Sequence, residues 1–347
     1  MRKIELLAPA GDLERLKYAI RYGADAVYIG GKQFSLRSMA SNFTLEDIKE
    51  GCEFAHSHKA KVFVTCNIVM HESDLEGLLD YLKALEACGV DAIIASSLTI
   101  LSLVKQHTKM EAHVSTQQSI CNSKGIEFLN KISVDRVVLA RECSLENIKE
   151  ICQKSKKDIE VFIHGAMCAS ISGRCMLSNI MTNRDANRGG CAQSCRWNYD
   201  IYQGKKKISK VPFDFSMASA DLNAIEFVPS LIDAGVKSLK IEGRMKSTHY
   251  IASVVDAYRR CIDEYYATGT IKDMSIYKYA LAKGENRESS IGFFKGDVTV
   301  IYQSDKAFFC IFENGCGNHI FQRFKQINVG VTNQNNELPF ISDIYKE

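Results

Sequence analysis

No run of about 18 apolar residues occurs in the chain, so the sequence predicts no membrane-spanning helix. The first residues, MRKIELLAPAGDLERL, carry two basic residues and then turn amphipathic and acidic. They lack the continuous apolar stretch of a secretory signal, and a cytoplasmic protein is expected. Neither sign of charge is in excess. With 44 Lys and Arg against 41 Asp and Glu, the formal net charge is +3. That balance neither demands nor forbids a nucleic-acid partner, so any RNA contact must come from a local basic patch. Also missing are Gly-x-Ser-x-Gly, His-Glu-x-x-His and any local Cys/His protease pattern. No lone nucleophile for hydrolysis stands out.

What is abundant is cysteine: 13 among 347 residues. In a reducing compartment such thiols are core residues, metal ligands or nucleophiles rather than disulfides. Cys52, Cys66, Cys88, Cys121, Cys143, Cys152 and Cys261 are scattered singly, as small core hydrophobes are. Cys168, Cys175, Cys191 and Cys195 crowd into 28 positions, and scattering does not explain them.

Short apolar runs alternate with helical patterns from the start. Strands are expected at residues 4–8, 26–29, 61–65, 92–95, 111–115, 136–139, 160–164 and 238–242. Asp12, Thr44 with Asp47, and Ser144 read as helix N-caps. Strands that are short and nearly all apolar are buried on both faces, which implies a parallel sheet. Eight such units without a Gly-x-Gly-x-x-Gly turn favour a closed α/β structure, the (β/α)8 TIM-type barrel, over a doubly wound sheet. A barrel of this kind takes about 250 residues. The expected layout is therefore a barrel over residues 1–270 and a C-terminal extension over 271–347, the latter a partial β module opened by the strand pattern at 298–302. Residues 165–235 interrupt the rhythm between strands seven and eight. Loops at that end of a barrel build its active site, and the cysteine cluster lies in this insertion.

The cluster reads Cys168-x6-Cys175-x15-Cys191-x3-Cys195. Thiolates are soft ligands for zinc, copper(I) or iron–sulfur clusters. Four of them suit a tetrahedral zinc or a 4Fe–4S cluster. Zinc sites favour two tight Cys-x2–4-Cys knuckles, and only the second pair here is tight, so the wide spacing fits a cuboidal cluster better. Zinc, or four metal-free thiols, are the alternatives. Gly165, Gly173, Gly189 and Gly190 would let the backbone bend around the group.

Other polar residues fall where strands end and would face the mouth. Candidates for catalysis are His113, Arg141, Glu142, His164, Glu242 and Arg244. Candidates for substrate binding are Asn67, Ser115, Gln117, Arg188, Arg196 and Lys246. His113, between apolar neighbours on its strand, fits a satisfied core histidine equally well. Arg141, Arg184, Arg188, Arg196, Arg244 and Lys246 are expected to converge on one rim. Arginine forks match carboxylates and phosphates, so the set points to a small dicarboxylate or an RNA backbone. Lys205–Lys207 reads as a solvated turn, and residues 185–190 as a tight loop feeding the third cysteine.

These motifs resemble the peptidase U32 family. The resemblance lies in residues 160–197, EVFIHGAMCASISGRCMLSNIMTNRDANRGGCAQSCRW, with ELLAPAG at 5–11, DAVYIGG at 25–31 and SLKIEGRMKS at 238–247, and it spans about the first 300 residues. Some members are described as collagenase-like proteases. Others resemble prephenate-dependent hydroxylases that hold a 4Fe–4S cluster and act on tRNA, ribosomal RNA or ubiquinone precursors. AYRRCIDEY and NRESSIGFFKG look most similar to the branch that makes 5-hydroxyuridine at the wobble position of tRNA. The resemblance implies Cys168, Cys175 and Cys191 as cluster ligands. Many members supply the fourth cysteine just after an Asp-Leu pair; this chain has Asp221-Leu222-Asn223 there. Cys195 is then the expected fourth ligand, since related members use the Cys-x3-Cys pair. The family also implies prephenate as co-substrate and tRNA as partner, with a homologous U32 chain or a second copy as a further partner. The rival expectations are a peptidase and an accessory subunit.

Overall fold

The computed structural model of the chain describes residues 4–35, 42–207, 215–284 and 287–296, together with the short strands Val298–Ile301, Phe308–Phe312 and Val329–Thr332. Seven strand–helix units open it. The strands are β1 (Glu5–Pro9), β2 (Ala26–Ile29), β3 (Lys61–Cys66), β4 (Ala92–Ala95), β5 (Glu111–Val114), β6 (Arg136–Val138) and β7 (Asp158–Gly165). The helices after the first six are α1 (Leu13–Arg21), α2 (Leu45–Ser57), α3 (Leu78–Ala87), α4 (Leu98–His107), α5 (Ser123–Leu129) and α6 (Leu145–Lys154). Each strand pairs in parallel with the next. The eighth barrel strand, Ser238–Ile241, pairs in parallel with both β1 and β7 and closes the ring. The expected (β/α)8 barrel is the observed one.

Local chemistry sets the helix starts. Asp12 accepts the Arg15 amide at 2.9 Å. Thr44 and Asp47 form a reciprocal capping box, and the Ser97 and Ser144 hydroxyls cap α4 and α6. Each cap satisfies an amide that the first helical turn leaves without a backbone acceptor.

The insertion after β7 holds the helix α7 (Leu177–Thr182) and the strands β8 (Asn198–Gln203), β9 (Lys206–Lys207), β10 (Phe215–Ser216) and β11 (Asp221–Asn223). Lys206 and Lys207 are exposed, on the strand that turns back on β8. β11 runs antiparallel to the end of β7, with Leu222 opposite Gly165 and Asn223 opposite His164. α8 (Val228–Asp233) then supplies the helix of the seventh unit, leading into β12 (Ser238–Ile241) and α9 (Thr248–Thr268). α10 (Met274–Ala282) and β13 (Ser289–Ser290) follow, the latter pairing with β11. Beyond them β14 (Val298–Ile301) and β15 (Phe308–Phe312) form an antiparallel pair, and β16 (Val329–Thr332) pairs with β8. The strand expected at 298–302 is β14; residue 302 lies outside the described residues.

The larger apolar cluster fills the space between sheet and helices. Of the scattered cysteines, Cys52, Cys66, Cys143 and Cys261 are buried, whereas Cys121 is exposed. Inside the barrel a smaller apolar cluster, Leu7, Ala26, Tyr28, Phe63, Ala92 and Ile94, faces a polar half. There Arg136 bonds Glu5 at 2.5 Å and Glu160 at 2.9 Å, and Lys240 bonds the other oxygen of Glu160 at 2.8 Å.

Candidate active site at the mouth of the barrel

The turn after β12 is pressed into the mouth. At Gly30 a Cβ would collide with the Arg244 guanidinium. Gly165 has φ +103°, and a Cβ there would stand 2.5 Å from the Glu242 carbonyl oxygen. Only glycine fits such a combination of backbone angle and close approach. Arg244 is 6% exposed, and both its terminal nitrogens lie 3.0 Å from the Ser35 hydroxyl. Arg141 bonds the Ala166 carbonyl at 2.6 Å and Glu242 at 3.3 Å, with its guanidinium 3.9 Å from the centre of the Phe162 ring. Lys246 lies 3.6 Å from Asp221, which also pairs with Arg287 at 2.8 Å. His164 is buried, its Nδ1 3.3 Å from the Tyr258 hydroxyl. Burial, and then the charge of Lys246, lower its imidazole pKa to about 3, so it is neutral at physiological pH.

The four clustered cysteines sit on loops held by side chains. Glu142 receives the Ser172 amide at 2.8 Å on one oxygen and the Ser172 hydroxyl at 3.2 Å on the other. Ser172, between Cys168 and Cys175, has φ +52°, and the two bonds hold that uncommon conformation. Asn187 accepts the Cys175 amide at 3.2 Å and donates to its carbonyl at 3.0 Å. The Ser178 hydroxyl receives the Ala192 amide, and the Tyr199 hydroxyl donates to the Ser194 carbonyl. Burial pushes the Cys195 thiol up to about 11, with the charges of Cys168, Cys191 and Cys175 also acting on it. The Cys168 thiol is raised as well, first by burial, with Cys175 and Cys191 contributing. The four sulfurs therefore share one electrostatic neighbourhood. No group of three or more His, Cys, Asp or Glu among the described residues is gathered closely enough to hold a single metal ion.

Beside the cysteines, a cleft of about 380 Å³ opens between the loops after β3, β4 and β5 and the insertion. Gln117, Arg174 and Asn187 line it, as does the first turn of α4. Gln117 is 7% exposed, and its amide oxygen has no hydrogen-bond partner among the described residues.

The expected rim of arginines is thus mostly engaged inside the protein. Arg188 pairs with both oxygens of Asp74, at 2.5 and 2.9 Å, and bonds the Val69 carbonyl. Arg196 lies near Cys195 and Asp221, whose pKa values burial raises, and its charge opposes that rise in both. Asn67 leaves β3 with its carbonyl accepting from Ser96 at 3.2 Å, and Ser115 caps the short turn Thr116–Gln118. His113 is not brought to the mouth. It is fully buried within the barrel, bonded to Glu111 at 2.9 Å and edge-on to Phe63, in register with Arg136 at the start of β6. Arg174 and Asn187 were not singled out from the sequence. Their one signal was position: each is the immediate neighbour of a singled-out residue, Cys175 or Arg188.

Fold and site together define a (β/α)8 barrel with a cysteine-bearing insertion over its mouth. The family model described as Peptidase family U32 matches residues 11–303, and the chain belongs to that family. It is 50% identical over 304 residues to the tRNA hydroxylation protein P1 of Bacillus subtilis (strain 168), covering 85% of this chain and 72% of the relative. It is 41% identical over 262 residues to a 23S rRNA 5-hydroxycytidine synthase of Escherichia coli (strain K12), covering 75% of this chain and 39% of the relative. An uncharacterized protease of Methanocaldococcus jannaschii is 38% identical over 307 residues, covering 86% of this chain and 74% of the relative.

Proposed function

We propose that the chain is an iron–sulfur RNA-modifying enzyme that hydroxylates the wobble uridine of tRNA to 5-hydroxyuridine, with prephenate as co-substrate, in the cytoplasm. The observation that carries the reading is the grouping of Cys168, Cys175, Cys191 and Cys195 beside an open cleft at the barrel mouth. Half of the B. subtilis tRNA hydroxylation protein's aligned residues recur here, which supports RNA hydroxylation as the reaction class.

The donor set fits a 4Fe–4S cluster. Four thiolates are soft ligands for iron, and a cube of irons keeps them farther apart than one zinc would. Cys168, Cys175, Cys191 and Cys195 would hold it, and a bound cluster would supply redox-active iron to the reaction. The chain's own residues position it. Glu142 and Asn187 fix the loops that carry Cys168 and Cys175. The Arg141 charge lies near Cys168, and Arg196 near Cys195, where each favours a thiolate. Neutral His164, bonded to Tyr258, orients the end of β7 rather than serving as a charged acid. Peptide hydrolysis would need an activated nucleophile, and His164 has no Ser or Cys bonded to it among the described residues.

The test is anaerobic purification with iron and sulfide quantitation, followed by nucleoside analysis of tRNA from a deletion strain. Iron and acid-labile sulfide near four per chain, and 5-hydroxyuridine lost on deletion and restored by the gene, are expected. Colourless protein without iron after reconstitution, or tRNA unchanged by the deletion, would overturn the reading. The mass of the purified assembly tests for a second copy or a homologous partner.

A further inference from the structure

We propose that the cleft between the β3, β4 and β5 loops and the insertion holds a single nucleotide turned out of the RNA strand, with Gln117 reading the edge of its base. The inference rests on the RNA-hydroxylation reading and assigns that reaction a binding site.

Three independent observations converge on the cleft. The first is Gln117. A side-chain amide 93% buried, its oxygen without a partner among the described residues, is costly unless something donates to it. A pure anion offers no donor. The hydrogen-bonding edge of a nucleobase offers a donor beside an acceptor, the complement of an amide. The second is the start of α4. The Leu98 and Thr99 amides, in its first turn and lining the cleft, have no intrahelical acceptor and favour an anion. Arg174 lines the same cleft, is exposed, and makes no ion pair among the described residues. Arg141 and Arg188 are already paired with carboxylates. A phosphate therefore has both a helix terminus and an unpaired guanidinium. The third is the wall. Val69, Leu75 and Leu98 are 46%, 41% and 41% exposed, a patch of apolar surface against which a base face packs.

The volume agrees. About 380 Å³ lies at the small end of ligand sites, about 300–1,000 Å³. Enzymes that modify a base take it out of its stack, and a loop nucleotide is cheap to extrude. The cleft also adjoins the cysteines through shared residues: Arg174 precedes Cys175, and Asn187 bonds the Cys175 backbone in both directions.

The test uses the full chain, purified anaerobically, with uridine and uridine 5′-monophosphate as probes in a calorimetric or NMR titration. Gln117→Leu keeps the side chain's size and removes both hydrogen bonds. It is expected to weaken both probes about tenfold, the loss of one paired base contact. Arg174→Ala is expected to weaken the monophosphate severalfold and leave uridine unchanged, and Arg174→Lys to restore most of the loss. Equal binding of both probes to wild type and variants would overturn the proposal. So would a small dicarboxylate that binds the cleft while the nucleotides do not. A deletion strain separates the two readings. If the wild-type gene restores 5-hydroxyuridine and Gln117→Leu restores it equally, the cleft assignment fails while the reaction stands. If wild type restores nothing, the reaction itself is wrong.

Discussion

His164 ends β7 with 3% of its surface exposed, and its pKa of about 3 lies well below the ordinary 6.5. Between those values the unfolded chain binds a proton that the folded chain refuses. The stability tied to the neutral ring is complete above pH 6.5 and is lost as pH falls toward 3. At about 1.4 kcal/mol per pH unit, the loss reaches about 2 kcal/mol by pH 5. Urea unfolding of wild type and His164→Gln at pH 7.5 and pH 5 measures it. Wild type should lose about that much more than the variant; parallel losses would assign the acid sensitivity elsewhere. Glu142 invites a second test. Both its oxygens hold Ser172, so Glu142→Ala should lower iron retained per chain while the barrel's melting temperature shifts by only a few degrees. Unchanged iron would mean the loop holds itself. The sequence marks Glu142, His164 and His113 alike as polar residues at or near strand ends. It does not say whether such a residue faces a substrate, a loop or the barrel interior, because that depends on partners 30 to 94 positions away or on strand register.

At the scale of elements, the barrel strands were legible because burial on both faces demands an apolar run whatever its neighbours do. The caps were legible because capping acts within four residues: Asp12, Thr44 with Asp47, and Ser144 all cap where expected. The insertion resisted the same reading. Its short turns and two-residue strands have no period, and hydrogen bonds between distant residues set their shape. The Arg188–Asp74 pair spans 114 positions and ties the insertion to the loop after β3. Arg188 first, by hydrogen bonding, lowers the Asp74 carboxyl to about 2. With side-chain exposures of 26% and 16%, the bidentate pair should show a coupling of about 1 kcal/mol in a cycle of Arg188→Ala, Asp74→Ala and the double variant. Each single variant should also admit protease to residues 165–197 faster than wild type. A coupling near zero would make the contact incidental.

The whole molecule carries its least legible feature on the barrel axis. Glu5, Arg136, Glu160 and Lys240 lie on four strands, β1, β6, β7 and β12, that the sequence reads simply as short and apolar. Only closure of the ring brings them together: β12 must reach both β1 and β7 before Lys240 meets Glu160 and Arg136 meets Glu5. Burial opposes ionisation of Glu160, but the Lys240 and Arg136 charges outweigh it and lower its carboxyl to about 2. Glu160 is fully buried, and Lys240 and Arg136 are 3% and 5% exposed. Removing the one carboxylate they share leaves Lys240 without the ion pair it has now, in a medium that hydrates it poorly. Glu160→Gln should therefore destabilise the barrel by about 3–5 kcal/mol. The same physics sets the control. A buried pair replaced on both sides by apolar side chains of similar size returns the desolvation cost it had carried. The double variant Glu160→Met/Lys240→Met should accordingly be more stable than Glu160→Gln in a denaturant titration at pH 7. If the double variant is the less stable of the two, the charges are doing more than cancelling each other, and the barrel depends on the network itself to close.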